Sequence, residues 1–548
     1  MKNFINIVNN QNNNNGNIYN YTEINNKPIW LININININI DDLIKTLPNI
    51  VKKAYKSFKC IIKKHDTLDE IINLNNNGVL KLLEGSFEEA IKCFDEAIKK
   101  DKTISEIHYN LGNAKFGYYN ENLHDKNIDN IFEEILDCYN EAIKYDREDY
   151  RYYYNRGTIY AFMKKYTVAI SDLSYSIKLD NSHSEPYINR ANIYIMEKNL
   201  DLAEKDLKIA KELSKDTDKY LLLVLYNNLG NLYFQKLNLD EAEHYYKDAL
   251  NIKSDYLYSI LGLANIYMYY YEYSKDTSNY EQSLFYFNEA EKLKENLDGI
   301  YFNKSKLFYI KANIENDKNL YIESLNILQK GLSLLDKNNN IQRALYYYSE
   351  GIIFGKLFFY DRDKYKNCVI SSYEKSIKLN DKDFNPYYNL ANFYDTIGEK
   401  RKSIDYYTKS IKINNLHESS YNNRAAVYIE LKMYDEALDD LNEIIKINSD
   451  NFGAYYNIGV IYSMQNKLIL AIDMFKNCLS NRNSDSVIKM NAYYNLGILI
   501  GRMGNNEEAI KNIIKSYELG NDNAKQIIED EAIKYKNQVA IDYLEQIK

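Results

Sequence analysis

A chain of 548 residues, 45% hydrophobic and 27% charged, has the composition of a folded protein rather than a disordered one. A formal charge of -8 argues against broad electrostatic capture of nucleic acid or anionic lipid. The 19 glycines and 4 prolines leave few helix breakers, so helices should dominate. No apolar run reaches the length of a membrane span, and the start, MKNFINIVNN, lacks the pattern of a secretory signal. The expectation is a soluble, cytoplasmic protein with no membrane partner. Cys60, Cys93, Cys138, Cys368 and Cys478 are odd in number and without a CxxC pair, which reads as isolated reduced thiols.

In chain order, residues 1–72 differ from the rest. Phe4 to Val8, Ile18 to Ile24 and Ile29 to Ile40 read as extended, separated by the low-complexity run NNQNNNNGN and by Asn25 to Pro28. In LINININI, Ile alternates with Asn at the strand period of two, so a small β meander is expected there. Asp41 to Lys64 reads as helix interrupted near Pro48.

From residue 73 to 520 one pattern recurs. A small residue is followed three positions later by an aromatic one and twelve positions later by another small one, as in YNRGTIYAFMKKYTVAISDLSYSIKLD from Tyr154 and YYNLANFYDTIGEKRKSIDYYTKSIKIN from Tyr387. The first small slot holds Gly78, Gly112, Gly157, Ala191, Gly230, Ala264, Ser305, Gly351, Ala391, Ala425, Gly459 and Gly497. Five of the eleven spacings are 34. The second slot holds Ala90, Ala169, Ala203, Ala242, Ser403, Ala437, Ala471 and Ala509, and four residues on stand Phe94, Leu173, Leu207, Tyr246, Tyr407, Leu441 and Phe475. Each unit is thus a helix hairpin whose small residues allow a close crossing, and hairpins must stack to bury both faces. A larger residue at Gly230 or Ala242 should overpack, Ala242 being the more sensitive because replacing Gly230 gains helix propensity.

Four hairpins carry extra residues, around Tyr118 to Ile131, Tyr270 to Ser278, Glu315 to Leu320 and Phe359 to Lys364, expected as longer turns on one edge. Residues near Ser214 to Lys219 and Ser480 to Val487 lengthen connections between units. Ser305, Ser324 and Gly331 depart from the slot residues, which makes the seventh and eighth units the expected place for a bend. Residues 521–548 read as a capping helix.

The period and slots resemble the tetratricopeptide repeat family over roughly Asn73 to Gly520, about twelve units. The family's Trp at the start of the first helix is Tyr here, at Tyr153, Tyr187, Tyr301, Tyr421 and elsewhere, and the usual Pro after the second helix is mostly absent. The resemblance implies an all-α, right-handed superhelical solenoid of antiparallel helix pairs. Two residues before the first slot, Asn recurs at Asn76, Asn110, Asn155, Asn189, Asn228, Asn303, Asn389, Asn423, Asn457 and Asn495. In the family, similar asparagines line the groove and hold the backbone of an extended peptide, so those from Asn110 to Asn495 are candidate peptide-binding residues; packing between first helices is the competing role. Tyr109, Tyr154, Tyr348, Tyr388, Tyr456 and Tyr494 precede them. The family's clamp for a C-terminal carboxylate is not supplied by any three consecutive units; Arg156, Arg190 and Arg424 lie one position too late.

Catalytic signatures are missing: there is no GxxxxGK[ST] loop, no HExxH and no Cys/His cluster, so neither metal nor cofactor is expected. The acidic pairs Glu88 with Glu89 and Asp439 with Asp440 fall where solvent-facing positions are expected. The reading is a non-catalytic adaptor or scaffold holding an extended segment of a partner protein. Its alternatives are a structural subunit of a larger assembly using its outer faces and an RNA-binding helical repeat, which the net acidity opposes.

Overall fold

The structure, a computed structural model, describes residues 66–121, 128–214, 219–480 and 486–547. These form 26 helices and no strand. The expected strands and the helix from Asp41 to Lys64 lie outside the described residues. One compact unit ends at Leu334 and another begins at Leu335.

In the N-terminal unit seven hairpins follow one another. They are α1 (Asp66–Leu83) with α2 (Phe87–Lys100), α3 (Ser105–Glu121) with α4 (Ile128–Tyr145), and α5 (Tyr150–Phe162) with α6 (Tyr166–Leu179). Next come α7 (Glu185–Met196) with α8 (Leu200–Leu213), and α9 (Lys219–Gln235) with α10 (Leu239–Ile252). The unit ends with α11 (Leu257–Ser274) and α12 (Thr277–Leu293), then α13 (Asp298–Glu315) and α14 (Lys318–Leu334). The C-terminal unit has α15 (Asn340–Leu357) with α16 (Arg362–Leu379), α17 (Phe384–Thr396) with α18 (Lys400–Ile413), and α19 (Glu418–Glu430) with α20 (Tyr434–Ile447). It continues with α21 (Phe452–Met464) and α22 (Leu468–Ser480), then α23 (Ser486–Arg502) and α24 (Asn506–Glu518). Residues 521–548 hold two helices rather than one, α25 (Asp522–Ile533) and α26 (Gln538–Gln546).

The hairpin turn is encoded by one left-handed residue. The first helix ends, and a residue such as Lys164, Lys198, Leu237 or Lys432 takes φ near +60°. The next amide then reaches back to the last turn, as Lys165 N does to Tyr160 O at 2.9 Å and Asn199 N to Tyr194 O at 2.8 Å. Glycine, which meets no Cβ penalty there, occupies this position at Gly85, Gly398 and Gly504.

The extra residues of the sixth and seventh hairpins do not form longer turns, and in the eighth the turn, Phe358 to Asp361, gains a single residue over the regular hairpins. Otherwise the extra residues lengthen the helices to 17 or 18 residues, so that only Lys275 and Asp276 separate α11 from α12. Additional helical turns satisfy their own backbone bonds and bury Tyr271, Tyr280 and Tyr321, which a loop could not do. In the second hairpin the expected insertion falls partly outside the described residues.

Crossing within each hairpin follows the slots. Ala90, Ala169, Ala203, Ala242, Ser403, Ala437 and Ala471 are fully buried, and Phe94, Tyr246, Tyr407 and Phe475 fill the space beyond them. Against the first-slot glycines Gly78, Gly112, Gly230, Gly351 and Gly459 lies a large ring, whereas Gly157 meets Leu173 and Gly497 meets Ile513. A Cβ on Gly230 would stand 2.5 Å from Tyr246 Cε1, and one on Gly262 of the next first helix 2.4 Å from Tyr246 Cζ. The Tyr246 ring is therefore wedged between two successive first helices.

Beside this core lies a pocket filled in two ways. In the third, fourth and tenth hairpins an Arg just before the slot forks onto an Asp of the second helix: Arg156 onto Asp172 at 2.7 and 2.9 Å, Arg190 onto Asp206 at 2.7 and 2.8 Å, and Arg424 onto Asp440 at 2.9 and 2.6 Å. Each guanidinium also donates to the preceding second helix, at Asn140, Ser174 and Thr408. Arg190 lies 5.8 and 5.9 Å from the Tyr187 and Tyr194 rings, and Arg424 similarly between Tyr421 and Tyr428. In the fifth and ninth hairpins the Arg position is Leu229 or Leu390 and the Asp position is Tyr245 or Tyr406. There the ring occupies the same place, 5.5 Å from Tyr233 and 6.2 Å from Tyr226, or 5.4 Å from Tyr394 and 6.3 Å from Tyr387. Asp440 is thus buried and paired, not solvent-facing, whereas Glu88, Glu89 and Asp439 are exposed as expected.

Candidate peptide-binding site on the first helices

Neighbouring first helices touch along one side of each unit, and the asparagine series runs along that contact. Its amides point chiefly into the seams between hairpins. Asn110 Nδ2 donates to Asn75 Oδ1 at 3.0 Å, Asn155 to Asn113 Oδ1 at 2.8 Å and Asn189 to Thr158 Oγ1 at 3.0 Å. In the C-terminal unit Asn389 donates to the Tyr348 hydroxyl at 2.8 Å and Asn495 to the Tyr456 hydroxyl at 3.3 Å. Asn423 uses its Nδ2 twice, on the Tyr388 hydroxyl at 3.1 Å and on Asn392 Oδ1 at 2.9 Å.

Five of the candidates, Asn110, Asn189, Asn228, Asn303 and Asn389, are buried. The tyrosines preceding the series serve the same seams: Tyr348, Tyr388 and Tyr456 receive the next asparagine rather than projecting as free contact area. Burial raises the Tyr388 and Tyr456 phenols above their ordinary values, partly offset by those asparagine bonds. The series therefore joins repeat to repeat.

What remains for a ligand is specific. An Asn amide has two donors and a carbonyl with two lone pairs. Among the described residues nothing donates to Oδ1 of Asn389, Asn423 or Asn495, and Asn457, half-buried, makes no hydrogen bond through either amide atom. These four lie on α17, α19, α21 and α23. Sequence reasoning passed over the residue one position after the slot (Asn113, Asn231, Asn392), which accepts from a facing tyrosine: Tyr139 Oη on Asn113 at 2.8 Å, Tyr246 on Asn231 at 2.7 Å, and Tyr407 on Asn392. Its periodic recurrence was the available signal.

The described residues contain no group of three or more His, Cys, Asp or Glu placed to hold a metal ion, and no helix long and apolar enough to cross a membrane. Cys138 and Cys478 are buried, and burial pushes both thiols up to about 11, away from the reactive thiolate.

Family models described as tetratricopeptide repeat match residues 150–183, 183–255, 384–415 and 419–451, and one described as TPR repeat matches 81–117. No match is found among curated proteins. Among solved structures, a crystal structure of MamA is 21% identical, with 30% of this chain and 94% of that one covered and a TM-score of 0.27. A MamA fragment from Desulfovibrio magneticus is 18% identical, with coverages of 32% and 94% and a TM-score of 0.28. A tetratricopeptide repeat protein from Parabacteroides merdae is 14% identical, with coverages of 51% and 98% and a TM-score of 0.39. With hairpins in one register of small, aromatic and asparagine positions, and family models matching in both units, this is a chain of tetratricopeptide repeats.

Proposed function

We propose that this protein is a non-catalytic interaction scaffold whose C-terminal unit holds an extended segment of a partner protein along α17, α19, α21 and α23. The tetratricopeptide repeats support interaction with proteins in general. The observation that carries the finer reading is the Asn457 amide, half-buried on a first helix and without a hydrogen bond to any described residue, flanked in the neighbouring repeats by the open carbonyls of Asn389, Asn423 and Asn495. Asn389, Asn423 and Asn457 are 34 residues apart, so the groups recur at the period of the fold, and an extended backbone offers N–H and C=O groups at regular intervals. The partner is a polypeptide rather than nucleic acid, in keeping with the net charge of -8.

Asn457→Ala is the clean test, because no hydrogen bond to a described residue is lost with it. Peptides selected from a random displayed library on the full chain should bind the variant roughly 2- to 12-fold more weakly, the equivalent of one net hydrogen bond of about 0.5–1.5 kcal/mol, with the urea midpoint unchanged. Unchanged affinity for every selected peptide would remove Asn457 from the binding site and the reading with it.

A further inference from the structure

Six first helices carry an Asn or Thr one position after the slot, and their seams divide cleanly. Asn113, Asn231 and Asn392 face a tyrosine of the second helix, and in each the phenol hydroxyl donates to the amide oxygen. In the first and third of these seams the next repeat's asparagine, Asn155 or Asn423, adds its own donation to the same oxygen. Thr158, Asn192 and Asn265 face Leu173, Leu207 and Phe287 at the tyrosine's position, none of which has a hydroxyl.

Among the described residues it is in these latter three seams that asparagine amide atoms are left buried without a hydrogen-bond partner. They are Asn189 Oδ1 beside Thr158, both amide atoms of Asn192 and of Asn228 in the next seam, and the Oδ1 atoms of Asn265 and Asn303 in the third. Asn189, Asn192, Asn228 and Asn303 are between 1% and 4% exposed, so bulk solvent does not reach them. A buried amide without a partner is costly enough that proteins almost always satisfy it, and where no protein group is available the usual partner is an internal water with two to four polar neighbours.

We infer that each of these three seams binds an ordered internal water that takes the place of the missing tyrosine hydroxyl. The repeat register identifies the ligands: the Thr158 hydroxyl with Asn189, Asn192 with Asn228, and Asn265 with Asn303. As a donor of two hydrogen bonds, a water serves two carbonyl oxygens at once, which the Asn265 and Asn303 pair requires and which neither oxygen can provide for the other. At the Asn192 and Asn228 pair it donates and accepts. Leu207 and Phe287 are themselves fully buried and fix the apolar wall of the site.

Phe287→Tyr adds only the absent hydroxyl, and Tyr407→Phe removes it from a seam that has one. Crystal structures of the full chain and both variants, at a resolution that shows ordered water, give the direct readout, with urea midpoints alongside. The wild type should show a water within hydrogen-bond distance of Asn265 Oδ1 and Asn303 Oδ1. In Phe287→Tyr the hydroxyl should replace it and the midpoint should rise; in Tyr407→Phe a new water should enter beside Asn392 and Asn423. Wild-type density in which Asn192 bonds directly to Asn228 and Asn265 directly to Asn303, with no water between, would overturn the inference. So would a Phe287→Tyr protein whose hydroxyl lies away from Asn265. The wild-type density decides the matter even if a variant fails to fold.

Discussion

Exchanging one filling of the second-helix pocket for the other tests whether the two are interchangeable. Arg190→Leu removes the fork onto Asp206, whose side chain is 4% exposed, and also the bond to Ser174. Breaking a buried pair by deleting one partner typically costs about 3–5 kcal/mol, because the other charge is left unpaired. With the Arg190 side chain 17% exposed, some water reaches the site, and about 3 kcal/mol is the expected loss. Asp206→Tyr alone should be comparably harmful, since it strands the guanidinium against a phenol. The double change installs the Leu and Tyr pair found at Leu229 with Tyr245 and at Leu390 with Tyr406, where the new ring would stack between Tyr187 and Tyr194. Aromatic pairs contribute about 0.5–1.5 kcal/mol beyond their burial, so the double variant should lie within about 1.5 kcal/mol of the wild type, a coupling well above 2 kcal/mol. Because long repeat arrays can unfold in parts, the measurement is native-state hydrogen exchange of α7 and α8 peptides, with the urea midpoint as a global check. A double variant no more stable than the worse single one would refute the equivalence of the two fillings.

Other substitutions carry definite signs. Gly230→Ala drives a Cβ into Tyr246 and should lower stability by about 1–3 kcal/mol, whereas Gly355→Ala, with nothing within 4 Å of the added atom, should raise it by about 0.5–1 kcal/mol; urea denaturation separates the two. Leu237 is half-exposed at φ +59°, so Leu237→Gly should stabilise by up to about 1 kcal/mol in the same assay. Asn423→Ala loses two bonds to the preceding repeat and should lower the urea midpoint, in contrast to Asn457→Ala. His417, packed against Phe384 and Tyr388 with Nδ1 2.7 Å from Ser420 Oγ, has its pKa lowered by burial from 6.5 to about 4. The unfolded chain therefore takes up the proton first: this contribution is full above pH 6.5 and is lost as the pH falls toward 4, up to about 3 kcal/mol. The stability difference between the wild type and His417→Gln should change by a like amount across that window, and a flat difference would show that His417 does not carry it.

The hairpins were legible because their determinants are local and periodic. Gly230, Ala242 and Tyr246 announce a helix crossing by spacing alone, and Pro186 at the start of α7 marks a helix beginning. The extra residues around Lys275 were harder, since a sequence insertion does not say whether it lengthens a turn or the helices that flank it; tyrosines able to bury against the next hairpin decided for helix. Asp440 was misplaced for a different reason. Its exposure depends on Arg424, sixteen residues earlier, and the same interval separates Arg156 from Asp172 and Arg190 from Asp206. That repetition was present in the sequence, but a charged residue read one helix at a time falls on the solvent face.

The asparagine series shows why a site is less legible than a fold. Its position on the first helices follows from the period, yet the same amide can face a ligand or the preceding repeat, and the choice depends on what stands one turn away on another hairpin. Asn423 has Tyr388 and Asn392 of the preceding repeat within reach and donates to both, while Asn457, at the same repeat position, has Asn422 and Ala426 at the corresponding places in its preceding repeat and makes no such bond. With an apolar residue at that seam position the next repeat's amide keeps only the tyrosine hydroxyl, as Asn389 and Asn495 do, or no partner, as Asn457 does, and a polar one adds a second bond. The groups available to a partner consequently depend on the preceding repeat, not on the asparagine alone. Replacing Val460 by Asn should therefore draw Asn495, the next in the series, deeper into its seam, raising the urea midpoint while weakening any peptide that relies on Asn495. Stabilisation without loss of binding would show that Asn495 belongs to the seam alone.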